Sequence, residues 1–173
     1  MATIRTSVVV SFLFTFFGGP ALVLVAMPWF ITHFQIPARE SRAQMFAAAA
    51  LMGIGLMPLL ESIVRFVVVG RGTLMPAVPT EHLVVTGLYR YTRNPMYTGV
   101  IIALLGEALL FRCLHMLVYI AFVWLIMHLF VCFYEEPTLR ATFAVDFPRF
   151  RQNVPRWFPR LRAWNDRGFQ AGK

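Results

Sequence analysis

The chain has 173 residues, of which 58% are hydrophobic and 14% charged, with 17 Phe and a mean hydropathy of +0.65. It is too apolar and too poor in charge for an ordinary soluble domain, so a membrane protein is expected. The net charge of +8 could serve nucleic acid, but the excess lies after Glu136 among Phe143, Phe147, Phe150, Trp157, Phe158 and Trp164, a pattern that suits an anionic lipid surface; no nucleic-acid partner is expected.

The first apolar segment runs over residues 8–31 and the second over 44–69. Each is long enough to cross about 30 Å of hydrocarbon at about 1.5 Å per residue. Arg5 before an apolar run is also how a secretory signal begins. This run is longer than a signal core and contains Gly18-Gly19-Pro20, so it reads as a retained, kinked helix. In the second segment Glu61 and Arg65 stand at i and i+4, about 6–12 Å inside its cytoplasmic end. Ionisable residues at that depth usually pair, and the pair reads either as structural or as facing a substrate.

The stretch after the second segment, RGTLMPAVPTEHLVVTGLYRYTRNP, carries Gly70, Gly72, Pro76 and Pro79, which rule out a long helix and predict an ordered surface loop. Asn94-Pro95 then reads as a helix start, with Asn94 as N-cap and Pro95 at the first helical position. Such a start exposes backbone N–H groups; with Arg90 and Arg93 beside it, it can hold a carboxylate or phosphate. Tyr89, Tyr91 and Tyr97 add aromatic faces for a flat ring.

Residues 96–134 form an apolar block broken only at Phe111-Arg112-Cys113. It reads as two helices in a tight hairpin, giving four spans. A hairpin returns its chain to the level it left, so Glu135 and Glu136 in FYEEPTLR reach the same membrane face as the Arg93-Asn94-Pro95 start. They read as interfacial charges ending a helix, or as carboxylates that hold an ammonium or ribose hydroxyls or accept a proton. His128, two turns earlier, either meets Glu61 and Arg65 or makes an interhelical hydrogen bond. Glu107 and Arg112 fall toward the opposite face. Cys113 and Cys132 lie about 28 Å apart along one helix, which excludes a bond between them, and the four scattered His give no metal site.

Basic residues set the orientation. Arg5, Arg71, Arg90, Arg93, Arg140, Arg149, Arg151, Arg156, Arg160, Arg162, Arg167 and Lys173 fall on one side, against Arg39, Arg42 and Arg112 on the other. Both termini are therefore expected in the cytoplasm, in an integral multi-pass protein. The expected fold is all-α: a membrane bundle of about four transmembrane helices with a C-terminal helical hairpin and a cytoplasmic amphipathic tail. Its parts are an N-terminal helix pair (1–69), a core (70–160) and a basic end (161–173).

GLYRYTRNPMYTG, the hairpin, EEPTL and FAVDFPRFRQNVPRWFPR occur in unbroken order over residues 70–160. In this they resemble the isoprenylcysteine carboxyl methyltransferase and phospholipid methyltransferase family of integral membrane enzymes. The resemblance implies S-adenosyl-L-methionine as cofactor and a lipophilic or small thiol, carboxylate or amine as methyl acceptor. It places cofactor contacts at Glu81, His82, Leu83, Val84, Tyr89, Asn94, Pro95, Met96 and Tyr97. Glu135 matches the carboxylate at the reaction site, Glu136 its partner in the double-glutamate motif, and Arg93 the arginine that orients loop and cofactor. Asn94 stands where many relatives have histidine, and Val131 where prenylcysteine enzymes carry an arginine for the substrate carboxylate. Sterol-reductase C-terminal regions share a similar hairpin but bind NADPH; the double glutamate followed by VPRWFP favours the methyltransferase. A catalytically silent scaffold is the rival of another class. No oligomeric state is implied.

Overall fold

The computed structural model describes residues 19–37, 41–68 and 82–165. The expectations that rest on the first half of segment 8–31, on Arg5, Gly18, Arg39, Gly70, Arg71, Gly72, Pro76, Pro79 and Glu81, and on Arg167 and Lys173 lie outside these residues.

Among the described residues every regular element is helical. A π-helical segment, Leu22–Ala26, leads into α1 (Met27–Thr32), which stops where His33 and Phe34 take positive φ. Then come α2 (Arg42–Val68), a 3-10 turn (Gly87–Arg90), α3 (Pro95–Phe111) and α4 (Leu114–Phe130). A second π-helical segment, Val131–Glu135, joins α4 to α5 (Glu136–Thr142), and α6 (Asp146–Asn153) follows.

Two helices are long and apolar enough to cross a membrane, Arg42–Arg65 and the continuous Leu114–Thr142. Much of their surface is apolar and exposed, as at Met57 and Phe122, which suits lipid contact and would be costly in water. α3 is equally apolar but has only 17 residues, about 26 Å at the helical rise.

α2 and α3 pack backbone to backbone. A Cβ on Gly55 would strike the Ala103 amide and the Gly99 carbonyl, and one on Gly99 would strike the Gly55 carbonyl. Where lipid tails are as apolar as side chains, helix pairs gain most from such close approach of small residues. α3 turns back at Arg112, which adopts φ 48°, and Cys113 opens α4. Val100, Leu104 and Ala108 of α3 then pack with Met116, Ile120 and Val123 of α4, against Val23, Leu24 and Ile31 of the N-terminal helix.

The tail departs from the membrane-anchor expectation. Phe147, Phe150 and Val154 are buried with Leu83 and Val85, and Phe143 and Trp164 pack against them. Burying these rings against the loop before α3 removes more apolar area from water than laying them at a headgroup interface. Phe158 and Leu161 remain exposed.

Candidate functional site

The site forms where the loop before α3, the end of α4 and the tail meet. The tail is laced to the loop by backbone bonds: Trp164 N donates to Arg90 O, Arg160 N to Tyr91 O and Arg93 N to Pro155 O. Thr92 Oγ1 donates to Arg156 O at 3.0 Å, and Arg90 Nε to Trp164 O at 2.8 Å. These bonds satisfy a non-helical stretch that no helix or sheet would otherwise serve.

Asn94 occupies the N-cap position and Pro95 follows it, but the Asn94 side chain does not cap the helix. Its Nδ2 donates to Arg156 O at 3.1 Å. The Arg156 carbonyl accepts from both Thr92 Oγ1 and the Asn94 carboxamide, which is thereby committed to the tail, so the capping expectation is corrected. No side chain caps the first turn of α3, and its free N–H groups retain their pull on an anion.

The two glutamates straddle the end of the π-helical segment. Consecutive residues of an α-helix point about 100° apart. With the wider turn at Val131–Glu135, Glu135 meets α3 while Glu136 meets the loop and tail. Tyr97 OH donates to Glu135 Oε2 at 3.0 Å. Glu136 Oε1 accepts from Arg93 Nη1 at 2.8 Å and Arg156 Nε at 2.7 Å, and Oε2 accepts from Arg156 Nη2 at 2.9 Å. Arg156 thus forms a two-pronged pair with Glu136, the geometry in which arginine binds carboxylate best. Burial pulls the Arg93 guanidinium below its ordinary range, partly offset by Glu136, and the hydrogen bond to Glu136 raises Arg156.

Sequence reasoning missed Arg156 as a site residue; twelve basic residues shared one side, and only folding selects the one that returns to Glu136. His128 also differs from its first reading. Its Nδ1 accepts from Trp157 Nε1 at 3.2 Å, so it binds the tail rather than Glu61 and Arg65. Glu61 and Arg65 pair with each other at 2.6 Å. Glu107 is buried on α3, about three helical turns beyond Tyr97.

Of the other singled-out residues, Leu83, Val84 and Tyr89 are buried and His82 is half-buried. Burial pushes the Tyr89 hydroxyl far above its usual range, with Ser62 opposing and Glu135 and Glu61 reinforcing. Its phenol therefore stays protonated and can only lend a neutral hydroxyl.

Arg93, Asn94, Glu135 and Glu136 line one cavity of about 20 Å³, closed by Val131, Leu139, Phe147 and Phe150. Among the described residues, Arg93 Nε is buried without a hydrogen-bond partner. An orphaned cationic donor and an uncapped helix start suit the carboxylate end of an amino-acid nucleoside, and the Glu135 carboxylate beside them is a group that can accept a proton. The volume suffices for a water; a nucleoside would require the walls supplied by Leu139, Phe147 and Phe150 to part. Among the described residues no cluster of three or more His, Cys, Asp or Glu could hold a metal.

A family model described as phospholipid methyltransferase matches residues 43–146. The match takes in α2, which hydropathy alone had marked, and ends before the VPRWFP segment. No curated protein and no solved structure matches the chain.

Proposed function

The chain belongs to the phospholipid methyltransferase family, and from that premise we propose that it is an S-adenosylmethionine-dependent enzyme that methylates a lipophilic or small thiol, carboxylate or amine acceptor. We place it in the bilayer as a four-span protein with both termini in the cytoplasm, the site lying at the cytoplasmic face. The observation that carries the reading is the convergence of Tyr97–Glu135 and Arg93–Glu136–Arg156 on one cavity at one end of the hairpin.

In this reading Arg93 Nε and the first-turn amides of α3, at Met96 and Tyr97, hold the cofactor carboxylate. The family resemblance assigns the remaining cofactor contacts to Glu81, His82, Leu83, Val84 and Tyr89, together with Asn94 and Pro95. When bound, S-adenosylmethionine supplies a methyl group on a positively charged sulfur. The chain has to exclude water and align the nucleophile with that methyl, and α6 with the tail that follows it serves as the roof. Glu136 secures the roof through Arg156 and so shapes the cofactor wall. For an amine acceptor, Glu135 takes the departing proton on Oε1, the oxygen not bonded to Tyr97. A carboxylate or thiolate acceptor is already charged and needs only positioning. Phe133 and Tyr134, just before Glu135 on the same helix, are exposed apolar surface, which suits approach of a lipophilic acceptor from the bilayer side.

Val131 where prenylcysteine enzymes carry arginine leaves no cation at that turn for an acceptor carboxylate. The test is transfer of tritiated methyl from S-adenosylmethionine by the purified protein into a total membrane lipid extract and a panel of small thiols, carboxylates and amines. Label in one of these pools, lost in Glu135→Ala, is expected. No incorporation into any of them would overturn the reading.

A further inference from the structure

We infer that Glu61, on the second span and outside the cavity, is a positioning residue that fixes the loop carrying Tyr89; the inference rests on the methyltransferase reading above. The turn Gly87–Arg90 begins at Thr86, whose side chain makes no capping bond. Its exposed amide is served from another helix, because Leu88 N donates to the Glu61 carboxylate at 3.3 Å to Oε1 and 3.4 Å to Oε2. Arg65 Nε, at 2.6 Å from Oε1, holds that carboxylate in place.

The fit leaves no slack. Gly87 takes φ 55°, and a Cβ there would collide with Glu61 Oε1 and the Arg65 guanidinium. Glycine is required twice over, by the left-handed backbone and by the closeness of the ion pair. Two residues on, Tyr89 is buried, and Ser62, Glu61 and Arg65 of α2 as well as Glu135 all act on its hydroxyl. A shift of the turn on α2 would therefore move Tyr89 relative to Glu135 and Tyr97.

The Glu61 and Arg65 side chains are 27% and 30% exposed, where an i,i+4 ion pair by itself adds little to stability. A purely structural pair would tolerate exchange of its two charges. A grip on Leu88 N would not, since arginine at position 61 offers no acceptor.

The experiment uses the full chain in detergent, with the double exchange Glu61→Arg/Arg65→Glu and with Glu61→Gln, which keeps an acceptor oxygen. Hydrogen–deuterium exchange over residues 86–91 and calorimetric titration with S-adenosylhomocysteine are read together with the melting temperature. The double exchange is expected to speed exchange of that segment and to weaken S-adenosylhomocysteine binding, each by about tenfold, as loss of a charge-assisted bond implies, while the melting temperature holds. Glu61→Gln should recover most of both. Should the double exchange fail to insert, Glu61→Ala carries the same comparison. Exchange unchanged from wild type in these variants overturns the inference. Faster exchange in a protein whose wild type binds no S-adenosylhomocysteine supports the grip and removes the methyltransferase reading instead.

Discussion

Tyr97 and Glu135 are joined across the hairpin, the phenol hydroxyl of α3 donating to Glu135 Oε2 at 3.0 Å where α4 ends in its π-helical segment. One helix start and one helix end are thereby locked at the level of the cavity. Removing either group should separate binding from turnover. Glu135→Gln is expected to lower kcat by at least about a hundredfold with an amine acceptor, the usual contribution of a proton acceptor, while S-adenosylhomocysteine affinity changes little. Tyr97→Phe should show a smaller loss. Steady-state kinetics alongside calorimetry checks both, and an unchanged kcat in Glu135→Gln would remove the carboxylate from the chemistry.

Arg156 and Arg162 should behave differently although both lie in the basic tail. Arg156→Gln breaks the two-pronged bond to buried Glu136 and is expected to cost roughly 2 kcal/mol, with Arg93 still compensating part of the charge. Arg162 is exposed, and Arg162→Gln should leave stability and cofactor affinity as they are. Thermal denaturation in detergent, followed with and without S-adenosylhomocysteine, distinguishes the two.

The glycine contact between α2 and α3 sets the distance between the Glu61 helix and the site helix. Gly55→Ala places a methyl against the Ala103 amide and the Gly99 carbonyl, which no rotamer change relieves because both are backbone. A loss of about 1–3 kcal/mol is expected from such overpacking, read as a lower melting temperature. Gly53→Ala, where a Cβ meets nothing within 4 Å, is the matched control.

The hairpin was legible because Arg112-Cys113 is the one polar break in an apolar block, and Asn94-Pro95 marked the start of α3 by fixed φ and a missing donor. Glu135 and Glu136 could be brought to that level by counting helical rise alone. The π-helical segment at Val131–Glu135 was not legible, since one widened turn leaves no period in a uniformly apolar sequence. Nor was the fold-back of the tail. Phe147 and Phe150 have the composition of lipid anchors, and their burial against Leu83 and Val85 depends on a partner sixty residues away. The same non-local choice sends the Asn94 side chain to the Arg156 carbonyl rather than to its own helix.

Masking the cavity without touching the glutamates gives a further check. Leu139 and Phe147 line it, and Phe147 is 2% exposed. Phe147→Ala is expected to destabilise the tail by about 3–5 kcal/mol as a large-to-small core change and to weaken S-adenosylhomocysteine binding through loss of the roof. Proteolysis at the tail, faster in the variant and slowed again by S-adenosylhomocysteine, is the measurement.

The central claim is that this end of the hairpin grips an amino-acid nucleoside. Calorimetric titration of the purified, detergent-solubilised chain with S-adenosylhomocysteine, run beside NADPH, tests it most directly. Micromolar binding of S-adenosylhomocysteine alone, weakened in Arg93→Gln, is the predicted result. Binding of NADPH in its place would assign the site to a reductase, and no heat from either would contradict the account.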